Sequence, residues 1–550
     1  MRAVVLVSLV ACHGSHAREL GDASPDGMQC PAGPSIDEAP AAPLAVFPPL
    51  RFADVPSLGT AATTACVDTS ALPAHAALDA LVPQILDEAG LAAAPPGCAC
   101  DWSIVLSASA PSLDGDAAAA WAAAGDAPER YAAVSVTTNG RAVTTLYAPS
   151  ERAALYAVRA AMALYQQSRV AVGTFVDWPS FAARGVLEGI YGPNSYCDAS
   201  TAFWLPWRVL DRTEAIRLAS RTRLNTFIYG PKCDHYSSPN GWSVDYPASE
   251  GQVVATAAHV ADEQLVDFVW SVRPLTFFQQ GTYAVNLAAL KTKLDHVRAL
   301  GVRHFALFWD DSYDYAGTVA QQIQLMNDVD DYVRASDPTD HLIVVGQPYC
   351  GPPGGPSGDF CSGPDATTDA FGTGLHPEIE ILWTGPAVEP ATIAAHDLDA
   401  IDTSYRRHVS LWDNWPCAGG APCPGSHYTG RSADLPSAAH GIYINPVLNE
   451  YPGPANPPRA FMQVVGDIAA YTWDAAHYAE PAADAAWQPL LARDEAIDGA
   501  CRPCNGDAAG WTCGGAHEIH FCDFDTACET VLPCPGGCES EPPGEADVCH

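Results

Sequence analysis

Eight short apolar runs recur along the chain between about Val176 and Trp487, and segments with helical periodicity separate most of them. A run without a polar residue on either parity is typical of a strand buried on both faces, as in a parallel sheet. Eight such strands with helical crossovers predict an α/β fold, a (β/α)8 TIM barrel over residues 176–490. The runs are Gly185–Tyr191, Asn225–Tyr229, Val266–Val272, His304–Trp309, Leu342–Val345, Ile379–Trp383, His408–Trp412 and Gly441–Ile444.

The clearest crossover helix precedes the fourth run and ends at Gly301. Two other crossovers, 350–378 and 413–440, are predicted to be loops more than helices, and long loops on a barrel are usually where function lies. The apolar face of the clear helix comprises Leu287, Leu290, Leu294 and Val297.

Polar residues follow most of the eight runs. In a barrel the carboxyl ends of the strands converge on one face, where active sites are built. A loop begins after every strand, and loop residues are commonly polar, so any one of these residues could have a purely structural origin. An Asp pair, a Lys and two Asn together are poorly explained in that way. The sequence therefore predicts a polar pocket, with Trp383 and Trp412 placed to stack on a sugar. The residues after the runs are Gly192, Lys232, Arg273, Asp310 and Asp311, Tyr349, Thr384, Asn414 and Asn445.

A small α/β domain without evident chemistry is predicted before the barrel, over residues 49–175. Trp102–Ser107 is strand-like, and residues 131–147 alternate around Asn139-Gly140, a dipeptide suited to a type I′ hairpin turn. Ser150 is predicted to cap an Ala-rich amphipathic helix that runs to about Gln167.

Acidic residues outnumber basic ones by 64 to 27, which gives a formal net charge of −37. Such a surface repels phosphate and sulfate polymers, so nucleic acid is not expected as a partner. The same charge argues more weakly against polyanionic glycans as the preferred substrate.

Residues 1–17 have the composition of an export signal and are too short to span a bilayer. Leu9 to Cys12 also matches the lipobox of bacterial lipoproteins, which would leave a lipid anchor on Cys12; plain secretion is the alternative. Residues 18–48, rich in Pro, Ala and Asp, are predicted to be a linker. The expected location is extracellular or at the cell surface.

The chain has 19 cysteines, and 18 remain when Cys12 is set aside. In an exported chain an even number favours disulfides. Residues 497–550 are therefore predicted to form a disulfide-rich C-terminal module. Cys501, Cys504, His517 and His520 could suggest zinc, but disulfides are the favoured interpretation; neither a metal nor a cofactor is expected.

Six motifs resemble, in order, the catalytic domain of glycoside hydrolase family 84, the β-N-acetylglucosaminidases that include O-GlcNAcase and bacterial hyaluronidases. The likeness covers roughly residues 182–487, and the small preceding domain is similar to one found in bacterial members. The motifs are Arg184-Gly-Val-Leu-Glu-Gly-Ile-Tyr-Gly192, Leu224-Asn-Thr-Phe-Ile-Tyr-Gly-Pro-Lys232, Phe305-Ala-Leu-Phe-Trp-Asp-Asp311, Ile379-Glu-Ile-Leu-Trp-Thr-Gly-Pro386, Leu411-Trp-Asp-Asn414 and Asn445-Pro446.

The resemblance implies retaining hydrolysis of glycans that carry N-acetylhexosamine, with the substrate's own acetamido group as nucleophile. Asp310 would orient the acetamido N–H and stabilise the oxazoline intermediate, and Asp311 would be the general acid and base. Because strand parity would point these two residues to opposite faces, the strand must end or twist there. The expected sugar contacts are Gly189, Lys232, Tyr349, Thr384, Trp412, Asn414 and Asn445.

The chain departs from the family at four places. Gly419 replaces an Asp that grips the outer hydroxyls of the sugar, which leaves gluco or galacto preference open. Only Tyr349 remains of a Pro-Thr-Glu-Tyr motif, Cys233 replaces an Asp, and residues 193–206 form an insertion. Disulfides that fix the insertion and the two long loops are expected for the pairs Cys197–Cys233, Cys350–Cys361 and Cys417–Cys423.

Two functions are compatible with these motifs. An exported β-N-acetylglucosaminidase is favoured by the Asp pair together with Lys232, Tyr349 and Asn414. A carbohydrate-binding surface protein on a diverged barrel, with weak or no catalysis, is favoured by the residue change at Gly419.

Overall fold

The computed structural model divides the chain, after Pro179, into two compact units. No helix among the described residues is long and apolar enough to cross a membrane. The described residues are 46–73, 75–94, 99–107, 109, 112–188, 209–231, 234–279, 281–310, 317–351, 361, 363–415, 428–445, 457–479, 482–483, 485–487, and five strands between 510 and 549.

The first unit contains a seven-stranded mixed sheet in the order β1-β7-β5-β6-β4-β2-β3. Three helices, α1 (Ala76–Glu88), α2 (Gly115–Ala123) and α3 (Glu151–Ala163), accompany it. A disulfide between Cys66 and Cys100 joins β2 to the segment before β4. The strands are β1 (Phe52–Ala61), β2 (Thr64–Asp68), β3 (Ala92–Ala93), β4 (Trp102–Ser107), β5 (Tyr131–Thr138), β6 (Arg141–Tyr147) and β7 (Arg169–Asp177).

The local predictions for this unit are confirmed, with one change of boundary. Strands β5 and β6 pair around Asn139 and Gly140, whose φ angles of 51° and 76° are those of a type I′ turn. The Ser150 hydroxyl accepts a hydrogen bond from the Ala153 N–H and so caps α3. The helix ends at Ala163 and not near Gln167, because the chain turns there with positive φ and enters β7.

The second unit contains a closed barrel of eight parallel strands, and all eight apolar runs correspond to its strands. The strands are β8 (Ala183–Glu188), β9 (Thr226–Tyr229), β10 (Asp267–Val272), β11 (His304–Phe308), β12 (Leu342–Val345), β13 (Glu380–Trp383), β14 (Ser410–Asn414) and β15 (Gly441–Asn445). The helices are α4 (Val209–Arg221), α5 (Ala248–Glu263), α6 (Tyr283–Ala299), α7 (Val319–Ser336), α8 (Ala366–Gly374), α9 (Asp399–Tyr405) and α10 (Pro457–Trp473).

The crossovers agree with the sequence patterns except at α8. On α6, Leu290, Leu294 and Val297 are buried, and Gly301 follows with a φ of 98°. The prediction of a loop over 350–378 was wrong for α8, whose sequence ATTDAFGTG is poor in strong helix formers. The Asp365 carboxylate caps this helix by accepting from the Thr367 and Thr368 N–H groups, which compensates for weak propensity. In the 413–440 crossover, the described part contains a short 3-10 turn, Leu435–Ser437.

The barrel closes where β15 pairs with β8, from Gly441 opposite Ala183 onward. Arg184, the second residue of β8, is fully buried at this seam. Its guanidinium donates to the carbonyl oxygens of Phe181 and Arg223 and lies 5.2 Å from the Trp473 ring of α10. One side chain thus joins the first strand to the turn before β9 and to the last helix.

The described part of the tail is a three-stranded antiparallel sheet and a two-stranded pair. Its Cys513 is disulfide-bonded. The side chains of the other tail cysteines lie outside the described residues, so the predicted pairing of the tail cysteines with one another stays a prediction. Strands β16 (Gly510–Gly515), β17 (Glu518–Asp523) and β18 (Cys528–Pro533) form the sheet, and β19 (Cys538–Glu539) pairs with β20 (Val548–Cys549).

Candidate active site

Asp310 lies at the C-terminal mouth of the barrel, just past the end of β11 at Phe308. The strand therefore ends before the acidic pair, as the parity argument required. Asp310 is 4% exposed, and the guanidinium of Arg273, the residue after β10, lies beside it. The Arg273 Nη2 donates to the main-chain oxygen of Asp310 at 2.6 Å and lies 3.6 Å from its Oδ1. Asp311, Gly189 and Lys232 lie outside the described residues.

Tyr349 and Thr384 are neighbours at the ends of β12 and β13. The Thr384 N–H donates to the Tyr349 carbonyl oxygen at 2.9 Å, and the Thr384 hydroxyl is 2.8 Å from the Ala387 oxygen, to which it donates. The hydroxyl of Thr384 is thus engaged with the backbone. The predicted disulfide Cys350–Cys361 is present directly after Tyr349, and its two cysteines pack in the same buried cluster as Tyr349. The pairs Cys197–Cys233 and Cys417–Cys423 lie outside the described residues.

Trp412, Asn414 and Asn445 form a hydrogen-bonded group at the ends of β14 and β15. The Asn414 Oδ1 accepts from Trp412 Nε1 at 2.8 Å and from Asn445 Nδ2 at 2.7 Å. Its Nδ2 donates to the Val388 oxygen at 2.8 Å. Because both acceptor positions are filled, Asn414 retains one N–H among the described contacts, which suits an acceptor such as an amide carbonyl oxygen.

The two tryptophans expected to stack on a sugar differ. The Trp412 ring lies 5.2 Å from Phe308 in the cluster that also contains Tyr349, so it belongs to the mouth. Trp383 is 2% exposed, and its ring meets Tyr405 of α9 edge to face. The expectation that Trp383 stacks on a sugar was therefore wrong, because its parity on β13 directs it toward the surrounding helices.

Asp413 anchors the strand on the face opposite Trp412 and Asn414. Its Oδ2 accepts from Arg431 Nε at 2.7 Å and from the Tyr428 hydroxyl at 2.6 Å, and all three side chains are buried. Burial and the charge of Asp413 raise the pKa of Tyr428 well above its usual value. Burial alone would lower the pKa of Arg431, but Asp413 raises it. This ion pair was not anticipated, because strand parity alone does not indicate which cation an outward Asp meets.

A second buried network follows the position of Lys232. Asp234 accepts from the hydroxyls of Tyr229 and Tyr246 and, at 2.8 Å, from the Tyr236 N–H. Lys293 of α6 lies 3.9 Å from the Tyr246 ring, and burial lowers its pKa to about 8. Burial also raises the pKa of Asp234. The loop after β9 is thereby fixed two residues beyond Lys232.

Among the described residues, one group combines side chains able to bind a metal ion: Asp330, Asp331 and His376. Asp330 and Asp331 lie in the second half of α7, and His376 precedes β13, so the group belongs to the N-terminal end of the strands. The His376 Nδ1 already lies 2.9 Å from the Asp330 carboxylate. It contributes nothing to the mouth.

A family model described as β-N-acetylglucosaminidase matches residues 184–497. Protein O-GlcNAcase of Mus musculus is 28% identical over 285 residues, which are 48% of this chain and 28% of the relative, and the Rattus norvegicus protein gives the same values. This chain thus matches less than a third of the length of these relatives.

Solved structures give the same fold. The structure of CpGH84B has a TM-score of 0.65 and 21% identity, covering 83% of this chain and 76% of that one. The structure of CpGH84D also has a TM-score of 0.65, at 18% identity, covering 82% and 72%. The family match begins at the second residue of β8 and includes the rest of the barrel strands and all the predicted site residues. The chain therefore belongs to the β-N-acetylglucosaminidases of glycoside hydrolase family 84.

Proposed function

We propose that this protein is an exported β-N-acetylglucosaminidase that hydrolyses terminal 2-acetamido-2-deoxy glycosides with retention, by substrate assistance. The observation that carries the proposal is that Asp310, Tyr349, Asn414 and Asn445 lie at the ends of β11, β12, β14 and β15 within the family match. A buried carboxylate, an aromatic cluster and a single amide N–H suit a neutral acetamido sugar better than a charged ligand.

In the first step the acetamido carbonyl oxygen attacks the anomeric carbon while the bond to the leaving oxygen breaks. Asp310 accepts a hydrogen bond from the acetamido N–H and offsets the positive charge of the forming oxazoline ring. Asp311, by its place in the motif, gives its proton to the leaving oxygen. In the second step water attacks the anomeric carbon, Asp311 takes the water proton, and the ring opens to restore the acetamido group.

The other mouth residues bind the sugar in this proposal. Gly189 and Lys232 contact its hydroxyls, Tyr349 and Asn414 contact the acetamido group, and Trp412 supplies an apolar wall. Asn445 and Thr384 line the pocket, Thr384 through its backbone-bonded side chain. No metal or cofactor takes part in these steps.

Kinetics of Asp310→Asn and Asp311→Asn on aryl 2-acetamido glycosides with good and poor leaving groups test the mechanism. Each variant is expected to lose about 10²–10⁴-fold in kcat/KM, Asp311→Asn mostly on poor leaving groups, because only those need a proton. Asp337→Asn, the same change at a half-exposed site at the C-terminal end of α7, serves as control.

A thiazoline analogue of N-acetylglucosamine should inhibit the wild-type protein, since it copies the bicyclic intermediate. Equal cleavage of glycosides without the acetamido group would overturn substrate assistance. A wild-type protein that binds these glycosides without cleaving any would instead identify it as a carbohydrate-binding protein.

Export is a separate part of the proposal and rests on the composition of residues 1–17. Expression of the full chain in a bacterial host, followed by mass analysis of its N-terminus, should find cleavage before or close after Cys12. A diacylglyceryl mass on Cys12 would identify a lipoprotein; an intact Met1 terminus would contradict export.

A further inference from the structure

The segment 387–391, shortly after β13, borders the mouth of the barrel. Its Val388 side chain packs against the buried cluster that contains Tyr349 and Trp412. The Val388 main-chain oxygen accepts a hydrogen bond from Asn414 Nδ2 at 2.8 Å. The direction of the remaining Asn414 N–H therefore depends on where this segment lies.

Arg431, in the chain between β14 and β15, holds the other end of the same segment. Its Nη1 donates to the Ala391 oxygen at 3.1 Å. Two main-chain bonds continue this contact, because the Ile393 N–H donates to the Gly430 oxygen at 2.9 Å and the Ser432 N–H donates to the Ile393 oxygen at 3.0 Å. The two loops are thus joined side by side at Arg431.

The Arg431 guanidinium is itself fixed by Asp413, the residue before Asn414. Its Nε and Nη2 donate to the two oxygens of the Asp413 carboxylate, and both side chains are almost fully buried. A guanidinium bound at two nitrogens by one carboxylate has a single orientation, so the direction of its third nitrogen, Nη1, is set. The contacts form a closed ring, which runs from the Asn414 amide through 388–391 and Arg431 to Asp413 and returns to Asn414 along β14.

We propose that Arg431 is a positioning residue, which directs the remaining Asn414 N–H at the acetamido group by fixing the segment 387–391. The inference rests on the proposed function, in which Asn414 contacts that group. The Arg431 guanidinium pairs with Asp413 on the outer face of β14, so it acts on the sugar only through Asn414. Without its bond to Ala391 the segment is held at fewer points, and the Asn414 amide turns together with it.

The test is a double-mutant cycle of Arg431→Lys and Asn414→Ala in the full-length protein. Lysine keeps a positive charge beside Asp413, but its single ammonium lacks the planar fork that also reaches Ala391. The substitution therefore separates the charge pair, which remains, from the contact with the segment, which is lost.

Arg407→Lys is the matched control. Arg407 also joins chain segments through main-chain oxygens, because its Nη1 donates to His376 at 2.7 Å and to Ile379 at 2.9 Å. These contacts lie before the start of β13, at the end of the barrel opposite the mouth. Whatever stability the control loses in thermal denaturation, its KM should stay at the wild-type value.

On an aryl 2-acetamido glycoside, Arg431→Lys should raise KM about 5- to 10-fold, the effect of one lost hydrogen bond to the ligand, and change kcat by less than about two-fold. Partial unfolding would instead lower the apparent kcat at constant KM. In the Asn414→Ala background, Arg431→Lys should raise KM by less than about two-fold, because the group that it positions is absent. The dissociation constant of N-acetylglucosamine, measured by calorimetry, should show the same coupling.

Equal rises in KM in both backgrounds, or no rise in either, would overturn the inference. A rise in the Arg407→Lys control as large as that in Arg431→Lys would do the same. If Arg431→Lys does not fold, Arg431→Gln combined with Asp413→Asn, which replaces the ion pair by a neutral pair, takes its place in the cycle.

The failure of the proposed function gives a different result. A wild-type protein that binds N-acetylglucosamine but cleaves no 2-acetamido glycoside would overturn the proposed function, and the cycle in the dissociation constant then decides the inference by itself. A wild-type protein that neither binds this sugar nor cleaves its glycosides would overturn both.

Discussion

Single residues at the mouth are held by hydrogen bonds that already engage much of their polar surface. Asn414 is the clearest case, since its Oδ1 accepts twice and its Nδ2 donates to Val388. An amide fixed in this way loses little freedom when a ligand binds, which favours affinity. It also discriminates, because only a hydrogen-bond acceptor can meet the remaining N–H.

Asn414→Asp should therefore weaken binding of the acetamido group. The carboxylate cannot donate to the ligand, and it would face the Val388 oxygen instead of donating to it. An unsatisfied buried polar group costs about 1–3 kcal/mol, so KM for aryl 2-acetamido glycosides should rise about 5–150-fold. Asn327→Asp is the control, because Asn327 Nδ2 also donates to a carbonyl oxygen, that of Gly374 at 2.8 Å, away from the mouth. A similar rise in KM for the control would contradict the assigned role.

Lys293 makes the stability of the second unit depend on pH. The pKa of this buried amine is about 8 in the folded chain against 10.5 ordinarily. Between these values the unfolded chain binds a proton that the folded chain does not, so the free energy of unfolding rises with pH. Relative to Lys293→Met, the wild-type protein should gain about 2 kcal/mol between pH 7 and 9.5. Urea denaturation at both pH values measures this; identical pH dependence in the two proteins would contradict it.

Among the described elements near the mouth, the chain after β12 is tied by a disulfide. The disulfide Cys350–Cys361 begins at the residue after Tyr349, and the Gly363 N–H donates to the Cys350 oxygen at 3.2 Å. Tyr349 is thus held from both sides, by Thr384 on the neighbouring strand and by this loop.

Removing that bridge should change both stability and binding. Cys350→Ala with Cys361→Ala is expected to lose about 2–3 kcal/mol of unfolding free energy, as short-loop disulfides contribute that much. KM should rise because Tyr349 gains freedom. Cys66→Ala with Cys100→Ala is the matched control, since this bridge lies in the first unit. The control should lose stability with KM unchanged; equal KM effects would show that the bridge near Tyr349 has no special role in binding.

The sequence patterns predicted some elements of secondary structure and missed others. The barrel strands were predictable because each is buried on both faces, as Phe305 to Phe308 illustrate. Helix α8 was missed because the local cap at Asp365 and the burial of Phe371, a tertiary contact, outweigh the weak helix propensity of its residues. Asp310, Asn414 and Asn445 were predicted as site residues because they follow apolar runs. In a barrel the ends of such strands meet on one face. The partner of Asp413 and the orientation of Arg273 depend on loop paths, which no local pattern encodes.

At the scale of the whole molecule, the net charge of −37 is the dominant property. Like charges repel within the folded chain and also repel anionic substrates, and both effects decrease with ionic strength.

Salt should therefore affect anionic and neutral substrates differently. Between about 20 and 500 mM NaCl, kcat/KM should rise for a glycan with sulfated or sialylated neighbours, while that for a neutral chitobioside should stay nearly constant. Initial rates at matched substrate concentrations measure the two slopes. Parallel slopes would mean that the charge lies away from the approach to the mouth.

The seam between β8 and β15 has a consequence for synthesis on the ribosome. The first barrel strand emerges about 250 residues before the strand that pairs with its open edge. At about 5–20 residues per second, the nascent chain carries that unpaired edge for roughly 12–50 s. A longer delay separates Arg184 from Trp473 of α10, which lies further along the chain than β15. An unpaired apolar edge is a template for association with other chains, so the growing polypeptide is a natural client for a chaperone until its last barrel strand is made.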